Sequence, residues 1–299
     1  MKNLSHFNSL MQVMEYFSNE KVCREYLEQM RWADSVKVCP HCQSSKKIYT
    51  MKHTYKCSEC KRQFSLTKGT IFERTHVPLK KWFVAIYLLT EHKKGISSYQ
   101  LARDINVTQD TAWFMMHRIR ELYKSEEVLQ FDTAVEIDET YVGGKSKHQG
   151  RSTKTKTPVF GIFNRDTKTV VAETVPNAKA ATLTPIIQKH VKEGTEVFTD
   201  EFRSYSKLYK HFYHSKVNHS KKEFVVGDVH TNNIENFWSI LKRGVIGIYH
   251  KMSRKHLNRY VNEFAFRYNN RDLTFRQKFN FLLGESNNKR LTYVQLTQH

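Results

Sequence analysis

Val135-Glu136-Ile137-Asp138-Glu139-Thr140 is the stretch on which the fold turns. Apolar residues at 135 and 137 alternate with acids, the two-residue period of a strand with one covered face. A strand over 134–137 then ends on Asp138, and Glu136 shares the face of that aspartate. Val197-Phe198-Thr199-Asp200-Glu201 repeats the arrangement, so Asp200 follows a strand over 196–199. Further strands are predicted at 159–164, 169–174 and 213–217, and helices at 180–192, 204–211, 232–244 and 253–269. Three strands in hairpin spacing followed by alternating helices and strands define an α/β region, 132–285, with a mixed sheet flanked by helices. Both aspartates then leave the carboxyl ends of neighbouring strands. The segment 145–156 holds five Lys or Arg and no apolar residue, and reads as a loop.

A third acid, Glu235, stands early in the helix that starts Asn232-Asn233-Ile234-Glu235. Asp228, Asn232 and Asn233 are competing oxygen donors, and His230 is a polar neighbour. Lys242 lies seven residues beyond Glu235. At about 3.6 residues per turn that is nearly the same helix face, within reach of a phosphate beside the acids. Trp238, between them, packs on the core or braces the site. Arg243, Lys251, Arg254, Lys255 and Arg259 continue the positive strip. Three acids in a basic protein repel one another unless a cation joins them. Mg²⁺ or Mn²⁺ takes oxygen ligands, and a pair of ions about 4 Å apart serves in-line displacement at phosphorus. Asp138, Asp200 and Glu235 are the expected ligands, and with Lys242 the expected catalytic residues.

Upstream, Cys39-Pro-His-Cys42 and Cys57-Ser-Glu-Cys60 are separated by fourteen residues. Two such pairs can close a tetrahedron of thiolates around Zn²⁺ and leave no open position, so the metal is structural. His41 falls inside the first knuckle as a neighbour or an exposed residue. Short strands around the cysteines, one of them over 50–57, make 36–68 a zinc ribbon, preceded by a helical segment, 1–35. Cys23 in that segment reads as a buried thiol without a function. Lys46, Lys47, Lys56, Lys61 and Arg62 around the ribbon favour contact with DNA. Residues 78–125 are helical again. Two short helices joined at Asn106-Val107-Thr108, with Thr108 as N-cap of the second, resemble a helix-turn-helix. In that second helix Gln109 and Thr111 are placed to read base edges, and Arg118 and Arg120 to hold phosphates, with Arg243 a further DNA contact. Residues 286–299 read as a tail.

The 299 residues carry 49 Lys plus Arg against 29 Asp plus Glu, a net charge of +20, which calls for a polyanionic partner. The longest apolar run, Trp82 to Leu89, is too short to span a membrane. No signal peptide opens the chain, and cysteines in metal spacing suit a reducing compartment. A cytoplasmic protein with no membrane partner is expected.

CPHC…CSEC, IDETYVGGK (137–145), FTDEF (198–202) and HTNNIENFWSILKRG (230–244) together resemble the DDE-type insertion-sequence transposases with an N-terminal zinc ribbon, the ISXO-like group. The resemblance covers most of 36–270. It implies an RNase H-like core in which Asp138, Asp200 and Glu235 hold metal beside Lys242. Some relatives carry Asn or His in the third acidic place. The implied activity is metal-dependent phosphodiester hydrolysis at the element ends, followed by strand transfer into target DNA. The partners are double-stranded DNA, as terminal inverted repeats and target, and further copies of the chain assembled on it. Two other functions fit the same residues: a zinc-ribbon and helix-turn-helix regulator without catalysis, and a nuclease or resolvase on the same core.

Overall fold

The computed structural model describes residues 7–32, 34–124, 128–143, 155–217, 229–250 and 252–298. Asp228, Lys251 and most of the 145–156 loop lie outside them. The chain divides into two compact units, Met1–Tyr123 with Asp272–His299, and Lys124–Arg271.

In the first unit the segment read as helical resolves into α1 (Leu10–Tyr16) and α2 (Glu20–Arg31). The break falls where Asn19 turns extended and its side chain accepts the Val22 amide, capping α2. The predicted strand over 50–57 is two strands: β1 (Ile48–Thr50) and β2 (Tyr55–Cys57) pair antiparallel, and β3 (Gln63–Phe64) pairs with β2. Helices α3 (Leu79–Glu91), α4 (Ser98–Ile105) and α5 (Gln109–Leu122) follow. Between α4 and α5 Asn106 takes the left-handed conformation at φ +49°, which Asn tolerates. Thr108 caps α5 by accepting the Thr111 amide.

Residues 272–285, joined by sequence pattern to the mixed-sheet region, belong instead to this first unit. The reason is aromatic packing. Phe279 of α9 (Phe275–Gly284) lies 5.6 Å from Phe17 and 5.1 Å from Phe83, ring centre to ring centre. Such ring pairs add about 0.5–1.5 kcal/mol each beyond the area they cover. The expected tail carries a short helix, α10 (Tyr293–Thr297), with Leu291 and Leu296 buried.

The second unit holds a five-stranded sheet in the order β6-β5-β4-β7-β8. Strands β4 (Val135–Val142), β5 (Thr157–Asn164) and β6 (Thr169–Thr174) run antiparallel, while β7 (Glu196–Thr199) and β8 (Tyr213–Lys216) continue parallel to β4. This is a mixed sheet, with α6 (Ala180–His190), α7 (Asn232–Gly244) and α8 (Arg254–Asn269) around it. Phe160 and Ile162 face Leu183 and Ile187 of α6 in one apolar cluster. Val159 and Phe163 face Ile234, Phe237 and Trp238 of α7 and Val261 and Phe264 of α8 in another. A strand covered on both faces reads as a continuous apolar run, as β5 does.

Two sequence expectations change here. Strand β4 runs four residues past Asp138, so this aspartate sits within a strand and not at its end. Glu139, Thr140 and Tyr141 stay in the ladder because they pair with Phe160, Val159 and Pro158 of β5. The helix expected over 204–211 is two single 3₁₀ turns, Arg203–Tyr205 and Leu208–Lys210.

Candidate active site

The parallel register of β4 and β7 places the first two acids. Val135 pairs with Val197 and Glu136 with Phe198, an offset of 62 residues. Asp138 and Asp200 have the same offset, so both stand two steps further along neighbouring strands. Strands in that relation are about 4.8 Å apart. The Asp138 carboxyl is held well above the ordinary carboxylate range, first by burial, then by the charges of Glu139 and Asp200 and, more weakly, Glu235. Asp200 and, more weakly, Glu235 thus each act on the Asp138 carboxyl.

Glu136 of β4 anchors the first turn of α7, the helix that carries Glu235. Glu136 is fully buried. Its Oε2 accepts the backbone amides of Asn233 and Ile234, at 2.9 and 3.1 Å, in the first turn of α7. Its Oε1 accepts from Asn233 Nδ2 at 2.7 Å and Arg165 Nε at 2.8 Å. A carboxylate at a helix N-terminus satisfies orphan amides and complements the helix dipole. The N-cap residue itself, Thr231, makes no side-chain cap, so Glu136 fills that role from another strand. His230 completes the cluster, with Nδ1 3.1 Å from Glu136 Oε1. Asn233 donates to Glu136 through both its backbone amide and its Nδ2, whereas Asn232 and Glu235 are exposed. Thr231 Oγ1 donates to Glu235 Oε1 at 2.7 Å. Lys242 is also exposed, one spacing of seven along the same helix.

Trp238 is buried in the core cluster and also touches Asp138. Its indole Nε1 donates to Asp138 Oδ2 at 3.0 Å. The ring reaches that oxygen across β5 at Gly161, the residue paired with Asp138 in the ladder. A Cβ at position 161 would stand 2.7 Å from two ring carbons of Trp238 and 3.0 Å from Ile234 Cδ1. Any larger residue there must push the indole away from Asp138. A glycine interrupting an apolar strand is the sequence signal for such a close approach. Beside Asp138, Glu139 accepts the hydroxyl of buried Tyr205 at 2.7 Å. Arg165 and Tyr205 carry no comparable signal in the sequence.

In the ribbon, the four cysteine sulfurs lie within 4.8 Å of one another, the one such ligand group among the described residues. Asp138, Asp200 and Glu235 form no such tight group. The Cys39–Cys60 and Cys42–Cys57 sulfur distances are both 3.7 Å. A tetrahedron with zinc–sulfur bonds of about 2.3 Å has edges of about 3.8 Å, so the cradle fits zinc. Backbone amides, that of Cys60 first, draw the Cys57 thiol down to about 7, toward the thiolate a metal requires. His41 stays outside the ligand set, its ring 6.4 Å from that of Phe64. Cys23 is buried, and that burial pushes its thiol up to about 12, where it is unreactive at neutral pH.

Two of the expected DNA contacts are corrected. Arg118 and Arg120 are 4% and 1% exposed, and neither can reach a phosphate on the surface. Arg118 lies over the Phe114 and Trp82 rings, at 5.1 and 5.6 Å, and donates to the Glu73 carbonyl at 2.6 Å. Burial draws its guanidinium down to about 10, so it remains charged. Gln109 and Thr111 are partly exposed, with hydrogen bonds to Ser98 Oγ at 2.8 Å and Thr108 Oγ1 at 2.8 Å. Arg243 is exposed on α7. Among the described residues no helix is long and apolar enough to cross a membrane.

Residues 130–269 match the ISXO2-like transposase domain, and residues 18–63 the transposase zinc-ribbon domain. A Halobacterium salinarum protein described as an uncharacterized protein in transposable element ISH50 is 30% identical over 282 residues, covering 86% of this chain and 93% of its own. A Haemophilus influenzae uncharacterized transposase-like protein is 38% identical over 100 residues, 33% of this chain and 80% of its own. A simian T-cell lymphotropic virus intasome bound to the PP2A regulatory subunit B56 gamma aligns at a TM-score of 0.30 and 10% identity, over 56% of this chain and 63% of its own. The chain belongs to the ISXO2-like transposase family and carries a transposase zinc ribbon ahead of that domain.

Proposed function

We propose that this transposase cuts DNA at the ends of its element and joins the freed ends to a target, using Asp138, Asp200 and Glu235 as the metal-holding acids. The observation that carries this reading is the shared register of Asp138 and Asp200 on adjacent parallel strands, with Glu235 close enough to act on the same carboxyl. Acids so gathered cannot all ionise cheaply, and a divalent cation removes the conflict. Bound Mg²⁺ or Mn²⁺ supplies the positive charge that assists the entering and leaving oxygens of in-line displacement. Asp138, fixed by Trp238, and Asp200, at the end of β7, hold one side of the site. Glu235 holds the other, carried on a helix that Glu136 anchors to β4. Lys242, exposed on that helix, sets a positive charge against a substrate phosphate, and Arg243 extends the contact. The ribbon and the α4–α5 pair, through Gln109 and Thr111, bind the terminal inverted repeats. Two ends must meet for joining, so an assembly of several copies on DNA follows, acting in the cytoplasm.

The test is incubation of the full chain with labelled duplex carrying its element end. Strand cleavage at the end with Mg²⁺ or Mn²⁺, absent with chelator, is expected. Joining of the cut strand to a second duplex distinguishes transposition from a plain nuclease or resolvase. Binding without any metal-dependent cleavage would leave only the regulator.

A further inference from the structure

The fifteen residues that begin two positions after Asp200, FRSYSKLYKHFYHSK (202–216), contain five aromatic residues, four Lys or Arg, two His and no acid. We propose that this stretch binds an unpaired piece of DNA strand next to the cut, with one base held against Tyr209; the proposal rests on the DNA-cutting reading of the adjacent acids. Its cations Arg203, Lys207, Lys210 and Lys216 are exposed. So are two of its rings, Tyr209 at 66% and Tyr213 at 75%, although burial is the ordinary fate of residues this large. Beside Tyr209 opens a cavity of about 250 Å³, walled by Phe202, Tyr205, Tyr209, His214 and Lys216, with the acids Asp200 and Glu201 also in its wall.

Each part has a physical reason to be there. Tyr205 is buried and hydrogen-bonded to Glu139, so the cavity wall on that side is rigid. His214 is pinned by a 2.8 Å hydrogen bond with Thr199 Oγ1. Tyr209 stands in the short 3₁₀ turn Leu208–Lys210 with its ring exposed. Aromatic rings among cations are what unpaired strands require: the cations track phosphates, and each ring stacks on a base. A paired base has both faces covered by its neighbours, so the rings select strands whose bases are free. Asp200 in the cavity wall ties this site to the scissile phosphate. A nucleotide beside that phosphate is the one whose base reaches Tyr209.

The probe is an oligothymidylate of about twelve nucleotides carrying a single 5-iododeoxyuridine, irradiated with the full chain, alone or annealed to oligodeoxyadenylate. The free strand is expected to crosslink within 202–216 at Tyr209. The adduct should fall at least tenfold when the strand is paired, and about tenfold in Tyr209→Ala, while Tyr209→Trp restores it. Unchanged melting of Tyr209→Ala separates loss of the ring from loss of the fold. Crosslinks that map elsewhere, or an equal yield from the paired strand, would overturn the proposal. Since crosslinking needs no cleavage, a chain that yields the adduct but never cuts DNA retains this site and loses the proposed function. A chain that cuts but yields no adduct loses this site alone.

Discussion

Asp138→Asn is expected to lower end cleavage by on the order of 10³-fold or more, equivalent to about 4 kcal/mol of barrier, with binding to the same DNA changed less than twofold. Asparagine matches the shape of aspartate and can still accept the Trp238 indole hydrogen, so the contact between β4 and α7 survives. What disappears is a carboxylate able to hold a cation. The same substitution should leave the free protein at least as stable. Burial and the nearby charges of Glu139, Asp200 and Glu235 raise the Asp138 carboxyl in the fold. An acid whose folded value is raised destabilises the fold at pH values where the unfolded chain would ionise, so a neutral replacement relieves that cost near neutrality. Cleavage by gel and melting by calorimetry should therefore move apart. Cleavage equal to wild type would remove Asp138 from the chemistry, and a large loss of melting temperature would make its role structural.

Removal of the ribbon metal is the second large effect. Few apolar groups support this module: Tyr55 contacts Trp32 and Phe64, with ring centres 5.1 and 5.6 Å away. Zinc binding in comparable small modules is worth about 10–16 kcal/mol, more than such a core can replace. Cys57→Ser, or chelation, should abolish the one zinc per chain measured by elemental analysis and open residues 36–68 to proteolysis. The transposase domain should remain protected, since its core clusters lie in another unit. A ribbon that stays protease-resistant without metal would contradict a structural role.

The acids were legible because strand alternation and chain distance coincide with register. An offset of 62 residues separates both the paired valines and the two aspartates, so recognising the two strands was enough to set Asp138 and Asp200 at matching positions along them. Helix α7 was likewise legible, from its first asparagine to its glycine, because its buried stripe of Ile234, Phe237, Trp238 and Leu241 has helical period. The length of β4 was not, since its polar second half is kept in place by β5 and not by its own composition. Nor was the capping of α7 by Glu136, because its partners lie 97 and 98 residues away. Arg118 and Arg120 misled for a related reason: charge suggests a surface, yet both are buried, and Arg118 lies against the Trp82 and Phe114 rings and the Glu73 carbonyl. Gly161 could have been noticed as a glycine inside an apolar strand. Its partner, the Trp238 ring, became apparent only with the packing.

The central claim is that acids from three parts of the chain share cations. It is tested most directly by locating Mn²⁺ through its anomalous scattering in crystals of the full chain with an element-end duplex. A manganese ion bound jointly by Asp138 and Asp200, with Glu235 on the same ion or on a second about 4 Å away, is the expected result. Manganese found only elsewhere, with the Asp138 and Asp200 carboxylates bound to no common ion, would contradict it.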